Sequence, residues 1–107
     1  MELLKDQNMI AIVAVQDSEV IGLCITGIRE PSMGVGWVTA YMDALIVDEK
    51  HRGKDIAKQL FCEAEKRAKA RGAKRLDLMV WEFNESAMHF YKALSMTPQR
   101  YILEKQL

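Results

Sequence analysis

An α/β domain, built on a mixed and mostly antiparallel sheet with two helices, is the fold that this sequence predicts. Three observations predict it. Two runs rich in Ile and Val, Met9 to Gln16 and Val20 to Ile28, flank the polar turn Asp17-Ser18-Glu19, the pattern of an antiparallel hairpin. An apolar strand, a polar loop, an amphipathic helix and an alternating strand then follow one another. Such a strand–helix–strand crossover puts one parallel pair inside the sheet. A second amphipathic helix and an apolar C-terminal run complete the order β-β-β-α-β-α-β.

Each element has its own signals. Pro31, Gly34 and Gly36 mark a loop after the hairpin. Trp37 to Val47 is the longest apolar stretch, bounded by Gly36 and Asp48, and is expected to be a central strand. Asp48 to Asp55 is polar or glycine throughout. In the first helix Ile56, Leu60, Ala64 and Ala68 recur every fourth residue, with Ala57 and Phe61 beside them. Lys58, Glu65, Lys66 and Lys69 mostly face away from that stripe. Gly72 is a C-terminal stop. Leu76, Leu78 and Val80 alternate with Asp77, Met79 and Trp81, so a strand is expected through Trp81. Asn84 is an N-cap candidate. Ala87, Phe90, Tyr91 and Leu94 then share one helix face, with His89 turned away and exposed. Pro98 ends that region, and Tyr101 to Leu107 reads as a short terminal strand.

The chain, 107 residues and half of them hydrophobic, is read as one domain over 1–107. Fifteen basic residues balance fifteen acidic ones, so net charge gives no reason to expect nucleic acid or a membrane surface as partner. No apolar run approaches the roughly 20 residues of a membrane helix, and Met1-Glu2-Leu3-Leu4-Lys5 lacks the pattern of a signal peptide. Cys24 and Cys62 stand in apolar surroundings, without CxxC or metal spacing. Both are expected to be small buried hydrophobes in a reduced, cytoplasmic protein. His51 and His89 are too far apart for a shared helix-face metal site, and no metal is expected.

The chemistry concentrates in the strand–loop–helix segment Ala44-Leu45-Ile46-Val47, Asp48 to Asp55, and Ile56-Ala57-Lys58. A loop turning directly into a helix aims several free backbone N–H groups at one place, and the helix dipole adds partial positive charge. That is a cradle for phosphate, and Arg52, Lys54 and Lys58 add cations around it. Neither GxxxxGK[ST] nor GxGxxG is present, which argues against an unrelated nucleotide-binding protein.

The residues themselves go further. Arg52-Gly53-Lys54-Asp55-Ile56-Ala57, within Val47 to Leu60, resembles the acetyl-CoA signature of the GNAT superfamily, Arg/Gln-x-x-Gly-x-Gly/Ala. Asn84-Glu85-Ser86-Ala87-Met88-His89-Phe90-Tyr91-Lys92-Ala93-Leu94 looks like the second cofactor motif of that family, Asn-x-x-Ala-x-x-Phe-Tyr-x-x-Leu. The resemblance covers roughly residues 9 to 107 and is specific from 41 to 96. It implies an N-acetyltransferase that moves an acetyl group from acetyl-CoA to a primary amine of a small molecule or peptide. It implies that the strand ending at Val47 splays from the strand at Leu76 to Trp81. The pantetheine arm would then pair with backbone at Leu45, Ile46 and Val47. The pyrophosphate would sit on the N–H groups of Arg52, Gly53, Lys54, Asp55, Ile56 and Ala57, near Lys58. Asn84, Ala87, Phe90 and Tyr91 would complete the cofactor side. Tyr91 resembles the family tyrosine that protonates the coenzyme A sulfur. The N–H near Val47 is a candidate oxyanion donor. By simple alternation Asp43 shares a face with Leu45 and Val47, where it acts on the amine or serves as a structural or substrate-orienting acid.

Three departures from the family pattern stand out. Asp55 occupies a motif glycine; it either caps the helix with its carboxylate outward or repels pyrophosphate. Ser95-Met96 replaces the usual Gly-Phe and weakens only the helix stop. The strand and helices that usually precede the hairpin, and form one wall of the acceptor pocket, are absent. That leaves the acceptor site open, completed by a partner, or belonging to a longer chain. A truncated sheet edge and an exposed apolar face favour a homodimer. The competing reading is a non-catalytic acyl-CoA-binding or regulatory module.

Overall fold

The first hairpin closes where the sequence carries its polar turn. The computed structural model describes residues 8–29 and 36–107; Met1 to Lys5, Pro31 and Gly34 lie outside them. Asp17 and Ser18 take φ of 51° and 67°, the two positive values that a two-residue type I′ turn requires. Strand β1, Met9–Gln16, therefore runs antiparallel to β2, Glu19–Arg29. β3, Thr39–Val47, adds antiparallel to β2, and β4, Arg75–Asp77, adds parallel to β3. The sheet order β1-β2-β3-β4 follows the chain, with the one crossover made by helix α1, Ile56–Ala70.

The sheet has two unlike faces. On one, Ile10 and Ile12 of β1, Cys24 and Ile28 of β2, and Ala40 and Met42 of β3 pack against Leu60, Phe61, Ala64 and Ala68 of α1. These helix residues are the predicted stripe, and two alanines let α1 lie close. Gly22 serves the same end: a Cβ there would stand 2.9 Å from Leu60 Cδ1 and 3.3 Å from Ile56 Cγ2. α1 stops at Gly72, whose φ of +91° turns the chain so that the Ala73 N–H reaches the Ala68 carbonyl at 3.0 Å.

The C-terminal half departs from the alternation. β4 pairs for three residues only, although Leu76 and Leu78 still pack on the core while Met79 and Trp81 stand exposed. Side-chain periodicity thus persists beyond the hydrogen bonding that defines a strand. The terminal strand expected over Tyr101 to Leu107 does not form; the segment is irregular and exposed throughout. Cys62 is exposed too, on the outer side of α1, while Cys24 is buried as expected. Helix α2, Glu85–Ala93, follows its N-cap Asn84. Its stop is intact: Ser95 takes the left-handed φ of 70°, and Met96 N–H returns to the Tyr91 carbonyl at 3.1 Å. Among the described residues no helix is long and apolar enough to cross a membrane, and no group of three or more metal-ligating side chains gathers.

Candidate active site

The site begins where β3 and β4 part. They pair at Thr39–Arg75, Ala40–Leu76 and Tyr41–Asp77. Beyond Tyr41, β3 pairs with β2 alone, so one side of its backbone is left without a strand partner among the described residues. A bulge falls at the same place: Ile25 opposes Ala44 and Thr26 opposes Met42, leaving Asp43 as the extra residue. Bulges bend a strand and sharpen its twist, which accounts for the splay starting there.

The bulge also corrects the expected alignment of Asp43. Simple alternation put it on the face of Leu45 and Val47, but the inserted residue shifts the phase. Leu45 and Val47 pack on the core under α1. Asp43 is exposed on the opposite face, with its Oδ2 3.7 Å from where a Cβ on Gly27 would stand. Ile46 shares that outer face and is 58% exposed. Because the side chains of Leu45 and Val47 are committed to packing, what this stretch offers to a ligand is its backbone.

At the end of β3 the chain passes through a single 3-10 turn, Glu49–His51, into the cradle loop. His51 Nδ1 lies 2.9 Å from Asp48 Oδ2, and the His51 N–H reaches the Asp48 carbonyl at 2.8 Å. This pair pins the turn. Neither motif points to it, although an i,i+3 Asp–His spacing at a strand end is visible in the sequence. Arg52 Nε donates to the Val47 carbonyl at 3.4 Å. Gly53 takes φ of +83°, and a Cβ at that position would meet nothing within 4 Å, so backbone lies open there to close approach. Asp55 is the N-cap residue of α1, at φ 61° and ψ 15°, but its side chain makes no capping hydrogen bond. Position and exposure agree with the capping alternative; the cap bond itself is absent. The residue instead supplies the left-handed backbone that glycine would give. The N–H groups of Ile56, Ala57 and Lys58, which no intrahelical carbonyl reaches, are therefore left without a side-chain cap as well. Lys54 and Lys58 are exposed around them.

The other bank belongs to α2. Asn84 Oδ1 accepts from the Ala87 N–H at 3.1 Å, confirming the predicted N-cap. That uses the amide oxygen and leaves the amide NH₂ for another partner. Since β3 and β4 run parallel, α1 and α2 each follow a strand that ends at the same end of the sheet. Tyr91 lies on the inner side of α2. Its ring packs against Phe61 at 6.1 Å and edge-on to Phe90 at 5.1 Å, whereas His89 is exposed. Burial, and secondarily the neighbouring Cys24 thiol, pushes the Tyr91 phenol above its usual range. Tyr91 and Leu45 both pack against the buried core on the α1 side of the sheet. Tyr91 thus lies on the core side of the sheet and Asp43 on its outer face.

The geometry matches known proteins. The family profile described as "Acetyltransferase (GNAT) family" matches residues 2–96. No curated protein matches the chain significantly. Among solved structures, a tetramutant of the BH1408 protein from Bacillus halodurans is 26% identical. It superposes with a TM-score of 0.87, covering 96% of this chain and 69% of that one. An aminoglycoside acetyltransferase from an uncultured soil metagenomic sample is 21% identical, with a TM-score of 0.81 over 98% of this chain and 70% of its own. An acetyltransferase of Trypanosoma brucei shares 16% identity and a TM-score of 0.79 over 94% and 70%. The last two likenesses speak for the fold alone. Profile, splayed sheet and paired helix starts agree that this chain belongs to the GNAT acetyltransferase family.

Proposed function

We propose that the protein is an N-acetyltransferase that uses acetyl-CoA and accepts a primary amine of a small molecule or peptide. The observation that carries this reading is the gap beyond Tyr41 and Asp77, with uncapped helix N–H groups at one end and a half-buried tyrosine beside it. The residues present fit the cofactor: open backbone for an arm with amides, and free N–H groups with Arg52, Lys54 and Lys58 for phosphates. Bound acetyl-CoA supplies a thioester, whose C–S bond breaks as a C–N bond to the amine forms, leaving a thiolate.

The chain's own groups divide the remaining work. Backbone from Leu45 to Val47 receives the arm as an added strand would be received. A backbone N–H near Val47 is placed to stabilise negative charge on a carbonyl oxygen. The Asn84 amide NH₂ offers a further donor. The cradle at Arg52, Gly53, Lys54, Asp55, Ile56 and Ala57 binds anionic oxygens. Tyr91 keeps a proton on its hydroxyl for a departing thiolate. Asp43, across the gap, orients the amine or takes its proton. The unpaired thiols Cys24 and Cys62 suit a reducing cytoplasm.

Thermal unfolding tests the cofactor assignment. A ligand at a hundred times its Kd adds about 2.7 kcal/mol, so acetyl-CoA or coenzyme A should raise Tm by roughly 10 °C or more in a domain of this size. ATP and NAD should not. No shift with millimolar acetyl-CoA would remove this reading.

Asp55 favours a second reading, a non-catalytic acyl-CoA-binding module, because a carboxylate stands at the N-cap position of the cradle helix. At 4 Å two like charges repel by about 1 kcal/mol in water, and the exposure of Asp55 places it near that lower limit. Asp55→Asn removes the charge while keeping a side chain that tolerates the left-handed backbone. It should tighten coenzyme A about five- to tenfold by titration calorimetry, with the gain shrinking at high salt. Equal affinities would show that the carboxylate points away from the phosphates.

A further inference from the structure

We infer that His51 is a positioning residue for the cofactor: its ring, held by the Asp48 carboxylate, sets the shape of the phosphate cradle in the free protein. The inference rests on the acetyl-CoA reading and adds a residue outside the signature Arg52 to Ala57. Nothing in the packing of the loop supplies that shape. Arg52, Gly53, Lys54 and Asp55 are all exposed, and the 3-10 turn before them buries no residue. A Cβ on Gly53 would meet nothing within 4 Å, and glycine has the widest backbone freedom of any residue. The conformation of the loop therefore comes from its two ends.

One end is the start of α1, where the Gln59 N–H reaches the Asp55 carbonyl at 3.0 Å. The other is Asp48, which the sheet still holds: its N–H donates to the Ile21 carbonyl of β2 at 2.8 Å. The hydrogen bonds that close the turn beyond Asp48 are unequal. The Arg52 N–H to the Glu49 carbonyl and Arg52 Nε to the Val47 carbonyl are both 3.4 Å, longer than the usual range of about 2.7–3.2 Å. The short bonds both join His51 to Asp48, backbone N–H to carbonyl at 2.8 Å and Nδ1 to Oδ2 at 2.9 Å. The rigidity of the sheet thus passes into the cradle through this one pair, which ends one residue before Arg52.

The chemistry of the pair fixes which atom matters. A carboxylate only accepts, so His51 Nδ1 carries the proton and donates. The His51 side chain is 20% exposed and that of Asp48 47%, so the pair adds little to the stability of the fold. Its contribution is order. Without it, Gly53 and its neighbours sample more backbone conformations, and a ligand has to freeze them as it binds. Affinity for phosphate groups falls, while the sheet and α1 stay as they are.

Calorimetric titration of the full chain with coenzyme A, alongside thermal unfolding without ligand, tests this. His51→Ala should weaken coenzyme A about 5–30-fold, the equivalent of ordering one more backbone residue, while Tm falls by only a few degrees. His51→Asn should restore most of the affinity, because its amide nitrogen stands as far from Cβ as Nδ1 does. His51→Gln, whose amide is one bond further out, should not. Asp48→Ala should match His51→Ala, and the double variant should bind no more weakly than either. Equal affinity in wild type and His51→Ala overturns the inference. So does His51→Gln that binds as well as His51→Asn, or a double variant whose losses add, since the ring would then act otherwise than through Nδ1 and Asp48. Absence of coenzyme A binding by the wild-type chain is a different result: it overturns the acetyl-CoA reading, and this inference falls with it.

Discussion

Tyr91→Phe should lower kcat by about 10²–10⁴, the usual contribution of a general acid, while coenzyme A affinity and Tm stay nearly unchanged. The ring does the packing: it touches Phe61 and Phe90 and closes the core beside α2. Phenylalanine keeps all of that and loses only the hydroxyl. The ring packs on the same side of the sheet as Leu45, beside which the cofactor arm should run. Burial holds its pKa above the ordinary value of about 10, so it carries its proton at every pH below that. Its ionisation can therefore depress activity only on the alkaline side of pH 10, and the same raised pKa favours the fold below pH 10 and ceases to as pH climbs past it. Thiol release measured with a polyamine, aminoglycoside and peptide-amine panel reads the loss. Full kcat in the variant would assign the proton to water or another group. Coenzyme A binding with no turnover of any amine would favour the binding-module reading.

Much of this was legible because local rules and the fold agree. The hairpin turn at Asp17-Ser18, the α1 stripe at Leu60, Ala64 and Ala68, the Gly72 stop and the Asn84 cap each depend on a few adjacent residues. The two motifs fall at the start of α1 and along α2. What escaped was set by long-range pairing. The bulge at Asp43 is a mismatch between two strands, invisible in either one, and it moved that residue to the other face. The end of β4 at Asp77 depends on where β3 bends away, so the alternating pattern through Trp81 overran it. The same gap leaves the backbone at Leu45 and Val47 without a β4 partner, although both side chains are apolar and packed on the core. Cys62 looked apolar by its neighbours in sequence, yet the helix turns it outward beside buried Phe61. At Asp55 and Ser95 the fold's demand for left-handed backbone, φ 61° and 70°, was met without glycine. The conformation at those motif positions has been kept although the residue has not.

Phe61→Ala should have the largest effect on stability. Phe61 is 2% exposed and among the largest fully buried side chains. Removing a buried phenyl ring costs about 3–5 kcal/mol from lost transfer energy and the cavity left behind. A domain of this size holds only about 5–15 kcal/mol in total, so the change removes a large share of it. The midpoint of thermal unfolding should fall by more than about 10 °C. Relaxation into the hole is limited, because strands β2 and β3 fix one wall and the helix backbone fixes the other. The effect should also reach the site, since the Tyr91 ring rests against Phe61 at 6.1 Å. Phe61→Leu separates the two consequences. Leucine keeps most of the apolar volume and holds α1 on the sheet, but gives the phenol ring a softer seat. That variant should lose less stability than Phe61→Ala, keep coenzyme A affinity, and show reduced kcat. A fall of only a few degrees in Phe61→Ala would mean that α1 is not seated on β2 and β3 as described. Unchanged kcat in Phe61→Leu would mean that Tyr91 is positioned by α2 alone.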